Sequence, residues 1–134
     1  MVSLGLVVAS YHGPITERME ASALAAADDR DASVTETVRV PGTYDAPLAA
    51  DRLARRDDVD AVAVLGAIVT GDTDHDQVIG DAAAGGLTRV SLDRDTPVTF
   101  GVSGPGQTAE EAADRVDKGA EAVESACNLV EDLP

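Results

Sequence analysis

The sequence predicts one α/β domain, a three-layer α/β/α sandwich built on a four-stranded parallel sheet. Three observations predict it. Four apolar, β-branched runs (Leu4–Ala9, Val34–Val40, Ala61–Ile68 and Val98–Val102) alternate with four helix-like stretches. The runs at 4–9 and 61–68 are apolar throughout, as strands covered on both faces by helices are. The chain has 134 residues, enough for a single domain that buries roughly two thirds of its unfolded surface. Such a βαβαβαβα order implies right-handed crossovers and a doubly wound sheet.

The elements follow in order. After the first run, Pro14 fits the first position of a helix that Ile15–Asp28 continues with alanine-rich helix formers. The second run ends in the loop Pro41-Gly-Thr-Tyr-Asp-Ala-Pro47, and the second helix-like stretch lies between that loop and the third run. The third run breaks at Gly71, and Thr73-Asp-His-Asp76 has the spacing of a capping box at the start of the third helix. Ser103-Gly-Pro-Gly106 closes the fourth run, and Thr108-Ala-Glu-Glu111 has the same capping spacing. In the last stretch Ala112, Val116, Ala120, Val123, Cys127 and Val130 recur at steps of three and four, which makes one apolar stripe. Gly119 falls in the middle of that stripe and predicts a kink. No linker, repeat or low-complexity segment interrupts the order.

Composition narrows the function. The only aromatic residues are Tyr11, Tyr44 and Phe100, so the core must be aliphatic and each aromatic is a candidate for binding. Twenty-five acidic residues against ten basic ones give a net charge of −15. Such a surface repels nucleic acid and anionic membranes. Lys118 is the sole lysine beside nine arginines. An acidic, lysine-poor surface predicts adaptation to a high-salt cytoplasm, where screening removes the self-repulsion. Cys127 is alone, which leaves neither an intrachain disulfide nor a cysteine metal cluster. The first basic residue is Arg18, unlike a signal peptide, and no apolar run approaches ~20 residues. A cytoplasmic, water-soluble protein is the expectation.

Ligands of such folds bind at the carboxyl ends of the strands. Tyr11 and His12 follow the first run, Tyr44 lies in the loop after the second, and His75 follows the third. Aromatics so scarce, gathered at one rim, predict a planar ligand held by stacking. The turn into the helix at Thr73 offers free backbone N–H groups to an anion, with a histidine beside them to move protons. Two other functions of this topology are excluded. A phosphoacceptor domain needs acidic residues ending the first strand, an Asp ending the third and a Lys after the last. A dinucleotide site needs Gly-x-Gly-x-x-Gly after the first strand. Neither set is present.

Four landmarks run in order along essentially the whole chain: Val40-Pro-Gly-Thr-Tyr-Asp-Ala-Pro47, Leu65-Gly-Ala-Ile-Val-Thr-Gly-Asp-Thr-Asp-His75, Pro97-Val-Thr-Phe-Gly-Val102 and Ala113-Asp-Arg115. On these motifs the chain resembles the 6,7-dimethyl-8-ribityllumazine synthases, and among them the archaeal branch. The resemblance implies a flavodoxin-like sandwich. It also implies condensation of 5-amino-6-ribitylaminouracil with 3,4-dihydroxy-2-butanone 4-phosphate in riboflavin biosynthesis, releasing phosphate and two waters. Neither metal nor organic cofactor takes part.

Carried over by motif, Tyr11 takes the place of the aromatic that stacks on the pyrimidine. Thr43, Tyr44 and Asp45 take the positions that hold the ring substituents and ribityl chain, with Asp45 where Glu is more usual. Ile68 and Val69 would offer backbone groups to the uracil edge. Gly71, Asp72 and Thr73 match the phosphate loop, and His75 the general acid/base. Phe100 and Arg115 match residues lent by a neighbouring subunit, Arg115 binding phosphate. The family forms pentamers, decamers or hollow 60-subunit shells, so the implied partners are copies of the chain and small-molecule substrates. Aspartates 72, 74 and 76 crowd this phosphate site, which requires either that Arg115 dominate locally or that salt screen them. Two alignments near the C-terminus stay open. One sets Lys118-Gly119 on the bacterial Gly-Asn-Lys-Gly stretch and makes Glu121 the carboxylate typical of the family there. The other makes it Glu124 and leaves Lys118 outside. The alternatives in function are an archaeal-type riboflavin synthase relative, against which the His75 loop weighs, and a non-catalytic flavin- or lumazine-binding shell protein, against which His75 and Arg115 together weigh.

Overall fold

A computed structural model describes residues 1–134. Four strands, β1 (Ser3–Ala9), β2 (Ser33–Val40), β3 (Ala61–Ala67) and β4 (Val98–Ser103), form one parallel sheet in the order β2-β1-β3-β4. Helices α1 (Gly13–Asp29), α2 (Ala46–Ala54), α3 (His75–Arg94), α4 (Ala109–Ala113) and α5 (Lys118–Asp132) connect or follow them. The α/β/α sandwich and its four parallel strands are those the sequence predicts, with strand ends within a residue of the apolar runs. No helix is long and apolar enough to cross a membrane.

The sheet sorts its side chains by parity. Leu4, Leu6 and Val8 of β1, with Ala61, Ala63 and Leu65 of β3, face a core completed by α1 and α5. Val7, Val62 and Val64 face the opposite way, onto Ala50 and Leu53 of α2 and Leu87 and Val90 of α3. Both faces of β1 and β3 are thus dry, which is why their sequences are apolar throughout.

The C-terminal stretch departs from prediction. It is two helices separated by a turn at 114–117, and Gly119 lies in the first turn of α5 rather than at a kink. Gly119 instead permits contact: a Cβ there would run into the Met19 carbonyl oxygen of α1. Beside it the Ala120 N–H donates to Ser22 Oγ at 3.1 Å. The capping box at Thr108 forms as predicted, with Glu111 N–H on Thr108 Oγ1 at 3.1 Å and Thr108 N–H on Glu111 Oε1 at 3.0 Å.

Asp51 joins α2 to α3. Arg94 donates to it from Nε at 2.7 Å and Arg55 from Nε at 3.1 Å. Arg94 first, then Arg55, hold its carboxyl down to about 2. A depressed folded pKa stabilises the fold above the ordinary carboxylate range, and that stability is lost as pH falls from about 4 through about 2. Asp51→Asn should lower stability by about 1 kcal/mol at neutral pH in dilute salt. Urea titrations from pH 7 to 2 check it: the gap between the proteins should close at the acid end, and a constant gap would refute the assignment.

Candidate active site

The order β2-β1-β3-β4 reverses direction between β1 and β3, and a cleft of about 360 Å³ opens there at the carboxyl ends of the strands. The loop after β1 supplies Tyr11, whose side chain is 80% exposed. Its ring stands edge-to-face with His12, centroids 4.8 Å apart and planes at 85°, and with most of its surface exposed it stays available to a planar ligand. Thr43 and Tyr44 arrive on a single 3₁₀ turn (Thr43–Asp45) ahead of α2. Thr43 is buried against β3 because position 66 is glycine: a Cβ there would stand 2.7 Å from Thr43 Oγ1.

Asp45 does not face the cleft. Its Oδ2 accepts the Gly42 N–H at 3.1 Å and closes the turn, and the residue lines a separate groove between β2 and α2. Ile68 and Val69 line the cleft at the end of β3, but they are not equivalent. Ile68 N–H donates to the Ser103 carbonyl at 2.8 Å, and its own carbonyl accepts from Gln107 Nε2 at 3.3 Å. Val69 keeps both backbone groups free. Val69 therefore offers a donor and an acceptor to a ring edge, while Ile68 offers only the second lone pair of its carbonyl.

Gly71, Thr73 and His75 complete the wall. The predicted capping box at Thr73 does not form. The helix starts at His75 after an N-cap Asp74 that makes no side-chain cap, and Thr73 Oγ1 accepts the His75 N–H at 3.3 Å. Asp76 is the reason. Its buried carboxylate turns to the Gly106 N–H at 3.3 Å and the Thr70 hydroxyl at 3.4 Å, and these two donors outweigh one cap. The N–H groups of Gly71, Asp72, Thr73 and Asp74 are left without partners in the chain. Unpaired N–H groups ahead of a 20-residue helix bind anions. The His75 side chain is exposed into the cleft with no hydrogen-bond partner, free to meet a ligand. The three aspartates do not converge on a metal site; Asp76 is engaged, while Asp72 and Asp74 are exposed.

The remaining predicted residues stand elsewhere on the chain. Phe100, on the edge strand β4, shares a hollow with Lys118 and Glu121. Glu124 is exposed on α5 and lines neither hollow nor cleft. Arg115, in the turn between α4 and α5, does not line the cleft. Its Nη1 donates to Gln107 Oε1 at 2.7 Å and its Nη2 reaches Glu111 Oε2 at 3.5 Å. The Thr108 N–H and hydroxyl, then Arg115, hold the Glu111 carboxyl below its usual range. Sequence reasoning missed Gln107, because a lone glutamine in a loop carries no signal, and it misassigned Asp76 to a local cap, because its actual donors lie at Thr70 and Gly106.

A sequence model of the 6,7-dimethyl-8-ribityllumazine synthase family matches residues 1–133. A 6,7-dimethyl-8-ribityllumazine synthase of Halobacterium salinarum is 68% identical over 133 residues, covering 99% of this chain and all of the relative. That of Halorubrum lacusprofundi is 67% identical, with 99% of each chain covered. That of Methanocaldococcus jannaschii is 43% identical, covering 99% of this chain and 94% of its own. The chain belongs to the 6,7-dimethyl-8-ribityllumazine synthase family.

Proposed function

We propose that this protein condenses 5-amino-6-ribitylaminouracil with 3,4-dihydroxy-2-butanone 4-phosphate to give 6,7-dimethyl-8-ribityllumazine, phosphate and two waters. One observation carries the reading: a single cleft holds an exposed stacking ring (Tyr11), the free backbone pair of Val69, the unpaired N–H groups before α3, and His75. Tyr11 covers the pyrimidine and Val69 pairs with its edge. Thr43 and Tyr44 hold the ring substituents and ribityl chain. Gly71, Asp72 and Thr73 present N–H groups, with the Thr73 hydroxyl, to the phosphate. His75 moves protons during imine formation, phosphate loss and ring closure, a contribution of about 10²–10⁴-fold for general acid–base catalysis. Holding two reactants side by side supplies much of the rest.

The active form is an assembly of five or more copies, with Phe100 and Arg115 of one subunit completing the cleft of the next. Two features support it. Phe100 and Arg115 lie outside their own cleft, and Phe100 is grouped with Lys118 and Glu121, which favours the alignment that sets Glu121 rather than Glu124 at the site. Moreover, α3 has a second face. Val78, Ala82, Gly85, Arg89 and Leu92 recur at steps of four and three and are all exposed, although Gly80, Ala83, Leu87 and Val90 already pack inward. Seam spacing on a solvent-facing helix suits packing against another helix.

The test mixes the purified protein with both substrates in molar KCl and follows lumazine absorbance, with light scattering on the same sample. The expected result is a rate above spontaneous condensation and a mass of at least five 13.7 kDa chains. Absence of any rate enhancement would sink the reading, and an active monomer would sink the shared site.

A further inference from the structure

We propose that Gln107 is a positioning residue for this reaction, holding the Arg115 guanidinium at a fixed height relative to the end of β3. The inference rests on the reading of Arg115 as a phosphate ligand. Gln107 is the largest polar side chain buried in the domain, at 2% exposure. Its Oε1 accepts from Arg115 Nη1 at 2.7 Å and from Ser103 Oγ at 3.0 Å, and its Nε2 donates to the Ile68 carbonyl at 3.3 Å. Chemistry fixes the amide's orientation, because a guanidinium only donates and a carbonyl only accepts.

The short, charge-assisted bond is the one to Arg115. Without it Arg115 would keep only Glu111, at 3.5 Å, and an arginine side chain that ranges over many rotamers loses its aim. The wall of the cleft depends less on this amide. Ile68 N–H donates to the Ser103 carbonyl and Thr70 N–H to the Gln107 carbonyl, each at 2.8 Å, and a side-chain substitution leaves both in place. Removing the amide should therefore disturb the phosphate end of the site and spare the uracil end.

The measurement is initial rates of the assembled protein in molar KCl for wild type, Gln107→Met, Arg115→Ala and the double variant, with each substrate varied in turn. Calorimetric titration with inorganic phosphate accompanies it. Gln107→Met should raise the KM for the phosphorylated ketone and the Kd for phosphate about fivefold to tenfold, and leave the KM for the uracil within about twofold. Because Gln107 acts through Arg115, the double variant should be no worse than Arg115→Ala alone. Parallel rises in both KM values, or losses that multiply in the double variant, would overturn the inference while leaving the role of Arg115 intact. An Arg115→Ala protein with normal phosphate affinity would overturn both. If Gln107→Met does not fold, Gln107→Asn, which keeps an amide but draws it back by one methylene, carries the same comparison.

Discussion

Arg115→Ala should raise the KM for the phosphorylated ketone about 10- to 100-fold and leave the KM for the uracil nearly unchanged. A hydrogen bond to a charged group is worth about 1.5–3 kcal/mol, and a fork of two to one phosphate gives geometry as well as energy. The other groups proposed for the phosphate are backbone N–H groups and the Thr73 hydroxyl, none of them charged. Arg115 is thus the one full positive charge assigned to the phosphate, in a site that also carries exposed Asp72 and Asp74. Those carboxylates repel the substrate dianion through solvent, so their effect fades with salt, whereas a direct guanidinium contact is screened much less. The penalty of the substitution should therefore be similar at 0.2 M and 3 M KCl, while both proteins bind the ketone less well at the lower salt. Initial rates with each substrate varied at both salt concentrations test this. Equal effects on both substrates would remove Arg115 from the phosphate.

The fold was legible because the sheet is buried on both faces. Continuous apolar runs as short as those at 4–9 and 61–68 suit a strand with helices on both sides, and the strand ends fell within a residue of them. Local signals held where their partners were local, as at Pro14 and in the Thr108–Glu111 box. They failed where a distant group intervened. Asp76 has the right spacing to cap with Thr73, but its carboxylate finds the Gly106 N–H thirty residues away. The turn at 114–117 was hidden for a different reason. Asp114 and Asp117 keep right-handed helical torsions at its two ends, and no proline or glycine marks it. At the site, Tyr11, Thr43, Tyr44, Val69 and His75 could be gathered from the rim rule alone, because each follows a strand's carboxyl end. Asp45 follows the same rule yet is engaged in closing its own turn. Gln107 becomes visible only in three dimensions, where β3, β4 and the turn at Arg115 meet around one amide.

Transfer from 3 M to 0.1 M KCl should cost this protein on the order of 5 kcal/mol, comparable with the whole stability of a typical domain. Only Glu20, Glu36, Asp51, Asp58, Glu111 and Glu131 stand within ion-pair distance of an arginine, which leaves nineteen of the twenty-five acidic residues unpaired. Spreading the net charge of −15 over a sphere of roughly 18 Å radius costs about 9 kcal/mol at 0.1 M salt and about 4 kcal/mol at 1 M. The expanded unfolded chain carries much less of that repulsion, so salt acts mainly on the folded state. The Tm should accordingly rise by about 15–25 °C on going from 0.1 M to molar KCl. Screening and salting-out can be told apart by shape. The Debye length is already about 3 Å at 1 M, so a screening gain flattens near there, while exclusion of salt from apolar surface keeps rising with concentration. A Tm indifferent to salt at pH 7 would show that the acidic surface is not what sets this protein's stability.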